Sequence, residues 1–368
     1  MKAAWRFLGA SSLAWAAAVA PATTMESALR GGESAEHVTL ADRQPASLIA
    51  DDHVIETAYG ANCAGGCDES CDACNACDDL CRSCCPPTWK VRAGAVILTR
   101  DNPDEVVLAR PMGGLIQISG GEDFNFGYAG GPDISLERML GNGPNSIEFR
   151  YFGGLEWNSQ ADYGVTGDIQ IGPINLPLAI DVTADYLSRL NSTEFNFRHR
   201  RSDRVTWLTG FRIIELHEEL SYDVDFIVPN LNGVSWNTDN HLWGTQVGAD
   251  LQLWRLGGPL SVNGIFKAGV YGNNSDNDFT YDVLGTPIIE GTADDNRAAF
   301  VGEIGVTTAY QLTKHIAIRG GYQLLWINEV TLASDQAQAM LDTLDVNAIN
   351  SSGDVFYHGA LVGGEFTW

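Results

Sequence analysis

Eight cysteines lie between residues 63 and 85: Cys63, Cys67, Cys71, Cys74, Cys77, Cys81, Cys84 and Cys85. Thiols this dense can form disulfides or hold a metal. Cys67, Cys71, Cys74, Cys81 and Cys84 recur every three or four residues, with Cys77 close to register. On a helix they would form one stripe. Neighbours on one helical face are badly placed to bridge each other, because their Cβ vectors diverge. Such a stripe would pair with a second chain or bind a metal. Three readings stay open: disulfides to an envelope partner or to a second copy, a compact non-helical disulfide knot, and metal binding by the C-x2-C pairs Cys71/Cys74 and Cys81/Cys84. No His lies inside the cluster, and Pro86-Pro87 ends the element.

Elsewhere the chemistry is thin. There is no nucleophile elbow, phosphate loop, HExxH or dinucleotide fingerprint. His217-Glu218-Glu219 lacks the second His of a zinc motif. His199, His217 and His358 are isolated, so an enzyme acting through them is the least favoured reading. The RHRR cluster at 198–201 reads as a solvated turn rather than a lipid-phosphate contact. The run NNSDND at 273–278, followed by Asp282, offers Asp276, Asp278 and Asp282 as oxygen ligands in a loop. It lacks the Gly and closing Glu of a calcium hand. No cofactor is implied.

The elements that must position these residues are strands. Past the N-terminus no apolar run reaches the ~18 residues that a membrane helix needs. Forty glycines and many aromatics suit strands, tight turns and interfacial anchors. A formal charge of −25 argues against nucleic acid as a partner and fits an exported chain. Lys2 and Arg6, the apolar stretch from Leu8 to Ala20 and Ala20-Pro21-Ala22 read as a secretory signal over residues 1–22. Residues 23–62 follow as an acidic, disordered spacer, and 63–87 as the cysteine segment, disordered or short-helical.

From residue 88 to the end, period-two alternation takes over. In the last segment Phe356, Ala360, Val362, Phe366 and Trp368 share one face, and the chain ends on an aromatic. Counting back gives ten strands, or twelve if 105–118 holds another hairpin arm. Their connections alternate long and short, with loops expected over about 158–192, 273–296 and 331–353. That alternation predicts an all-β, antiparallel, up-and-down transmembrane β-barrel in the outer membrane. The polar face places Glu148, Arg150, Glu156, Arg198, Arg212, Asp250, Lys267, Glu303, Arg319 and Glu365 in the lumen. The opposite face, rich in Phe, Val and Ile, meets outer-membrane lipid. Trp89, Trp157, Trp207, Trp243, Trp254, Trp326 and Trp368 read as interfacial girdles. Mixed charges in a narrow lumen predict a partly plugged barrel, either a narrow porin-like channel or a structural envelope component.

Five segments carry a family resemblance: VRAGAVILTR at 91–100, FGYAGGPDISLERML at 126–140, IEFRYFG at 147–153, LTGFRIIELHEEL at 208–220 and NHLWGTQVGADLQL at 240–253. With them the chain resembles the planctomycete β-barrel porin family over roughly 89–368. The resemblance implies an outer-membrane barrel. It does not extend to the cysteines. The competing reading is a soluble secreted β-sandwich or adhesin that binds a ligand through its long loops, with the apolar face as a core and the polar face in water.

Overall fold

The computed structural model describes residues 88–103, 107–112, 119–225, 232–255 and 258–368. The signal sequence, the spacer and all eight cysteines lie outside the described residues. The elements run β1 (Trp89–Arg100), β2 (Val107–Pro111), β3 (Ser119–Gly120), β4 (Tyr128–Met139), β5 (Asn145–Ile171), β6 (Ile174–Arg200), β7 (Val205–Asp225), β8 (Asn232–Arg255), β9 (Leu260–Val283), β10 (Thr286–Gln311), β11 (Ile316–Val330), α1 (Ala333–Thr343) and β12 (Gly353–Thr367).

Ten of these strands form a closed antiparallel ring. β1 pairs with β4, β4 with β5, and each later strand with its successor through β12. β12 then returns to β1 in an unbroken register from Lys90↔Thr367 to Arg100↔Tyr357. The seam is fastened at its end, where the backbone N–H groups of Thr88 and Trp89 donate to the Trp368 carbonyl at 2.7 and 3.0 Å. The extra strands β2 and β3 do not enter the ring. β2 joins the upper edge of β5, beyond the part that β4 covers, and β3 adds to β2.

The short connections, 140–144, 201–204 and 312–315, gather at one end of the ring with the β1–β12 seam. Most of the expected long loops turn out to be strands. Residues 158–171 and 174–192 continue β5 and β6, and 273–283 and 286–296 continue β9 and β10. Only two residues separate each of these pairs at the far end. The residues at 331–352 form α1 and its flanks, not an extended loop. Polar Asn, Asp and Thr content looked like loop composition. The cause is that strands facing water on the outside need polar residues at every second position.

A membrane-crossing strand needs about 9–11 residues. β5 to β10 have 21–27, so they project well beyond the bilayer. Outward residues mark where the lipid band stops. On β7, Trp207, Phe211 and Ile213 are exposed apolar groups, while Glu215, His217 and Glu219 above them are polar. On β9 the order is Phe266 and Val270, then Asn274, Asp276 and Asp278. The interior inverts at the same height. Below it, inward residues are charged: Arg198, Arg212, Lys267 and Glu303 are buried. Above it, Ile214, Leu216, Leu220, Tyr222, Trp236, Phe279 and Tyr357 form a buried apolar core. Helix α1 is folded into that core through Ala333, Ala337 and Met340, and the Trp236 indole N–H donates to the Met340 Sδ. The lower half is a membrane barrel and the upper half a water-soluble one, built from the same strands.

A closed ring of this kind resists cold SDS. The chain purified in detergent should change its gel mobility on boiling with reductant. A mobility that boiling does not alter, with solubility in the absence of detergent, would reject the closed membrane ring.

Candidate functional site

The lower interior is filled by ion pairs that reach across the barrel. Alternation along each strand delivers one inward side chain every second residue. Thus Arg92 on β1, Asp133 and Glu137 on β4, Glu148 and Arg150 on β5, Glu194 and Arg198 on β6, Arg212 on β7, Asp250 on β8, Lys267 on β9, Glu303 on β10, Arg319 on β11 and Glu365 on β12 converge. The narrow bore brings opposite walls within side-chain reach.

Two layers are visible. In the lower one, Arg92 donates to Glu148 at 3.0 Å and to Glu365 at 3.2 Å. Arg198 donates to Glu148 at 2.9 Å and to Asp250 at 2.8 Å. In the upper one, Arg150 grips Asp133 with two bonds of 3.0 and 3.1 Å and crosses the barrel to Glu303 at 2.8 Å. Glu303 also accepts from Arg212 at 2.8 Å and from Lys267 at 3.2 Å. Lys267 donates to both oxygens of Glu194 at 2.9 Å, and Gln246 adds a bond of 2.8 Å to Glu194. With Lys90 at the rim, the network holds Asp133, Glu137, Glu148, Glu194, Asp250, Glu303 and Glu365 against Lys90, Arg92, Arg150, Arg198, Arg212, Lys267 and Arg319. Seven acids meet seven bases. Between the layers lies a cavity of about 100 Å³, bordered by Arg92, Arg150, Lys267, Glu303, Arg319 and Gln323.

A second buried pair sits above the network. Arg100, at the end of β1, is paired with Glu218 of β7, and both are buried. Glu218 also accepts from Tyr186 at 2.6 Å, Ser188 at 3.1 Å and the Ala333 backbone N–H at 3.2 Å. That last donor lies in the first turn of α1, so the carboxylate also faces the positive end of the helix dipole. The Arg100 guanidinium stacks 4.5 Å from the Phe126 ring centroid. This cluster ties α1 to the wall.

Nine of the ten expected lumen residues lie in the network. Glu156 does not: it faces out and pairs with Arg189 at 2.8 Å on the open surface. The register shift between Phe152 and Leu155 inserts Gly153-Gly154 as a bulge, with Gly154 at φ +64°. The extra residue exchanges the two faces. The same shift buries Trp157, expected in the girdle, where its indole donates to the Leu98 carbonyl at 3.0 Å. Asp276, Asp278 and Asp282 lie on a strand and not in a loop. Asp282 stands about 13 Å along the strand from Asp278, so the three cannot converge on one ion. Among the described residues no group of three acidic, His or Cys side chains could hold a metal. Sequence reading missed Lys90, Arg92, Asp133, Glu137 and Glu194. For Glu194 the signal was present, since it shares strand and phase with Arg198, whereas no residue of β1 or β4 had been placed inside to set the phase for the others. The three histidines are dispersed. His217 pairs with Asp239 at 2.9 Å, His358 with Tyr322 at 2.6 Å and His199 with Asn145 at 2.8 Å.

A ring of ten strands with an apolar belt on the outside and a charge-paired interior defines an outer-membrane β-barrel. The sequence profile of the family described as "Putative beta barrel porin-7 (BBP7)" matches residues 178–368, and the chain belongs to that family. No curated protein matches it. Among solved structures it is similar to the outer membrane protease OmpT from Escherichia coli, at 10% identity, a TM-score of 0.46 and coverage of 77% of this chain and 97% of that one. It is also similar to a Pseudomonas aeruginosa FadL homologue (10%, TM-score 0.30, 76% and 90%) and to Acinetobacter baumannii CarO (12%, TM-score 0.22, 75% and 97%). At these scores none of them assigns an activity to this chain.

Removing one partner from a buried network leaves uncompensated charge at a cost of about 3–5 kcal/mol. Glu303→Ala, which strips Arg150, Arg212 and Lys267 of a shared partner, should lower unfolding stability in detergent by that order. Glu156→Ala, which removes one exposed pair, should cost no more than about 1 kcal/mol. Equal losses would place both residues in the same environment.

The projecting wall also makes a pH prediction. Partial burial, followed by Asp185, Asp282 and Asp225, raises the Asp223 carboxyl above its ordinary range. Partial burial and then Asp162 raise Asp185. A carboxyl whose folded value is raised contributes stability below its unfolded value and loses it as pH rises through the folded one. The upper hairpins should therefore be better protected from hydrogen exchange near pH 4 than near pH 7. Asp223→Asn should reduce that difference. Protection that rises with pH would contradict this.

Proposed function

We propose that this outer-membrane barrel is a narrow porin-like channel held closed by its own interior. The observation that carries the reading is the balanced network of seven acids and seven bases. Its members bond across the bore rather than lining a wide aqueous lumen. An open porin uses about 16 strands, and ten give a far narrower interior. Conduction here would require the paired layers to part and α1 to leave the upper core. A purely structural envelope role is the alternative, favoured by the completeness of the same pairing. His199, His217 and His358 lie on β6, β7 and β12 and do not converge on one site, which favours a non-catalytic reading.

The N-terminal part belongs to the proposal too. Residues 1–22 would direct export and be cleaved, leaving an acidic spacer and the cysteine segment. Because β1 begins at the short-turn end, the extension would emerge on the periplasmic side. There the eight cysteines could link the barrel to an envelope partner or to a second copy.

Planar-bilayer recording tests the channel. The wild-type barrel should show small, infrequent conductance. Glu194→Gln combined with Glu303→Gln should raise it and favour anions, because Arg212 and Lys267 then face the bore without counter-charges and Arg150 keeps only Asp133. Silence from both proteins, each verified as folded by its mobility shift, would leave the structural role in place of the channel.

A further inference from the structure

Besides the Arg100–Glu218 cluster, the apolar upper core is interrupted by a stripe of uncharged polar side chains on β8 and β9. On β8 and β9 the inward residues are Thr238, Asn240, Asn273, Ser275 and Asn277 rather than hydrocarbon, and all five are buried. The register puts them side by side, Thr238 opposite Asn277 and Asn240 opposite Ser275. The stripe begins at the charged network, where the Tyr271 hydroxyl donates to Gln246 at 3.2 Å. It continues upward to Ser275, which donates to the Asp295 carbonyl. Ser351, in the segment after α1, donates to the Asp295 side chain at 2.9 Å. So a polar line runs from the ion pairs to the edge of the segment that covers the barrel.

Two features separate this line from an ordinary satisfied polar core. First, several of its atoms have no protein partner among the described residues: Thr238 Oγ1, Asn273 Oδ1, both amide atoms of Asn277, and Thr331 Oγ1 across from them. Buried amides and hydroxyls of this kind take water or a polar ligand. Second, the cover is held to the line itself. Asn240 donates to the Thr331 carbonyl at 2.8 Å and accepts from its N–H at 2.8 Å. Asn273 donates to the Glu329 carbonyl at 3.0 Å. Glu329 has a left-handed backbone, φ +55°, at a register shift in β11. This left-handed bulge marks where β11 leaves the ring and the covering segment begins.

We propose that the β8–β9 stripe is a hydrated track for water and small uncharged polar solutes, and that the segment Thr331–Ser352 is its movable cover, latched by Asn240. The lining chooses the solute class. Amides and hydroxyls offer both donors and acceptors and no formal charge, so a neutral molecule rich in hydrogen-bonding groups can exchange partners along the line, whereas an ion would be stripped of its water. The proposal rests on the channel reading and deepens it.

The test is osmotic swelling of liposomes carrying the full mature barrel, with urea and glycerol as probes. Asn240→Ala removes both latch bonds and should accelerate swelling several-fold. Thr238→Val changes shape little and removes an unpartnered hydroxyl, and Asn277→Leu removes both free amide atoms. Each should slow swelling several-fold, both alone and in the Asn240→Ala background. Mobility in cold SDS confirms folding, and Ser275→Val replaces whichever track variant fails that check. Swelling that Asn240→Ala speeds and the track variants leave unchanged would overturn the track while keeping the channel. No passage of either probe through any folded variant would overturn both readings together.

Discussion

Charges held at the depth of lipid hydrocarbon have to find partners, because neither the bilayer nor a narrow bore supplies enough water to solvate them. The rest of this structure follows from that constraint. Fourteen side chains enter the lower interior from all ten strands of the ring. Glu303 alone contacts Arg150, Arg212 and Lys267 from three other strands. These contacts brace opposite walls. They also settle what the lower half can be: a closed, neutral interior, and not a lumen of one sign that selects ions by charge.

Above the bilayer the problem is reversed. Water surrounds the wall, so the outside must be polar and the inside can be hydrocarbon. The strands meet both demands by shifting the phase of their alternation once. On β7 the shift falls at Ile213-Ile214, where an outward lipid-facing residue is followed directly by an inward core residue. The apolar upper core then gives α1 a surface to pack against, and Arg100–Glu218 fixes its first turn. Closure from above thus depends on hydrophobic burial, and closure from below on ion pairing. The Asn and Ser stripe on β8 and β9 is the place where the two regimes are joined by polar groups.

Much of this was legible in the sequence. The closing strand ending at Trp368, the short turns and the ten-strand ring follow from alternation and turn residues. Nine of the ten charges read as inward lie in the network. The errors have physical causes. Glu156 and Trp157 were assigned to the wrong faces because the Gly153-Gly154 bulge changes phase, and a two-residue period has no memory across a bulge. The hairpins at 158–192 and 273–296 looked like loops because their outward positions are polar, as a strand standing in water requires.

The amino-acid sequence by itself determined that the chain forms antiparallel strands, ten or twelve of them, and, within each unbulged stretch, which residues share a face, because these depend on local period and on turn chemistry. Only the tertiary structure decided which acid meets which base, how far the strands project beyond the lipid, and that the segment after β11 folds inward as a cover. Those outcomes depend on the diameter of the closed ring and on contacts between residues such as Arg150 and Glu303, or Asn240 and Thr331, which lie far apart along the chain. No local pattern encodes a distance across a barrel.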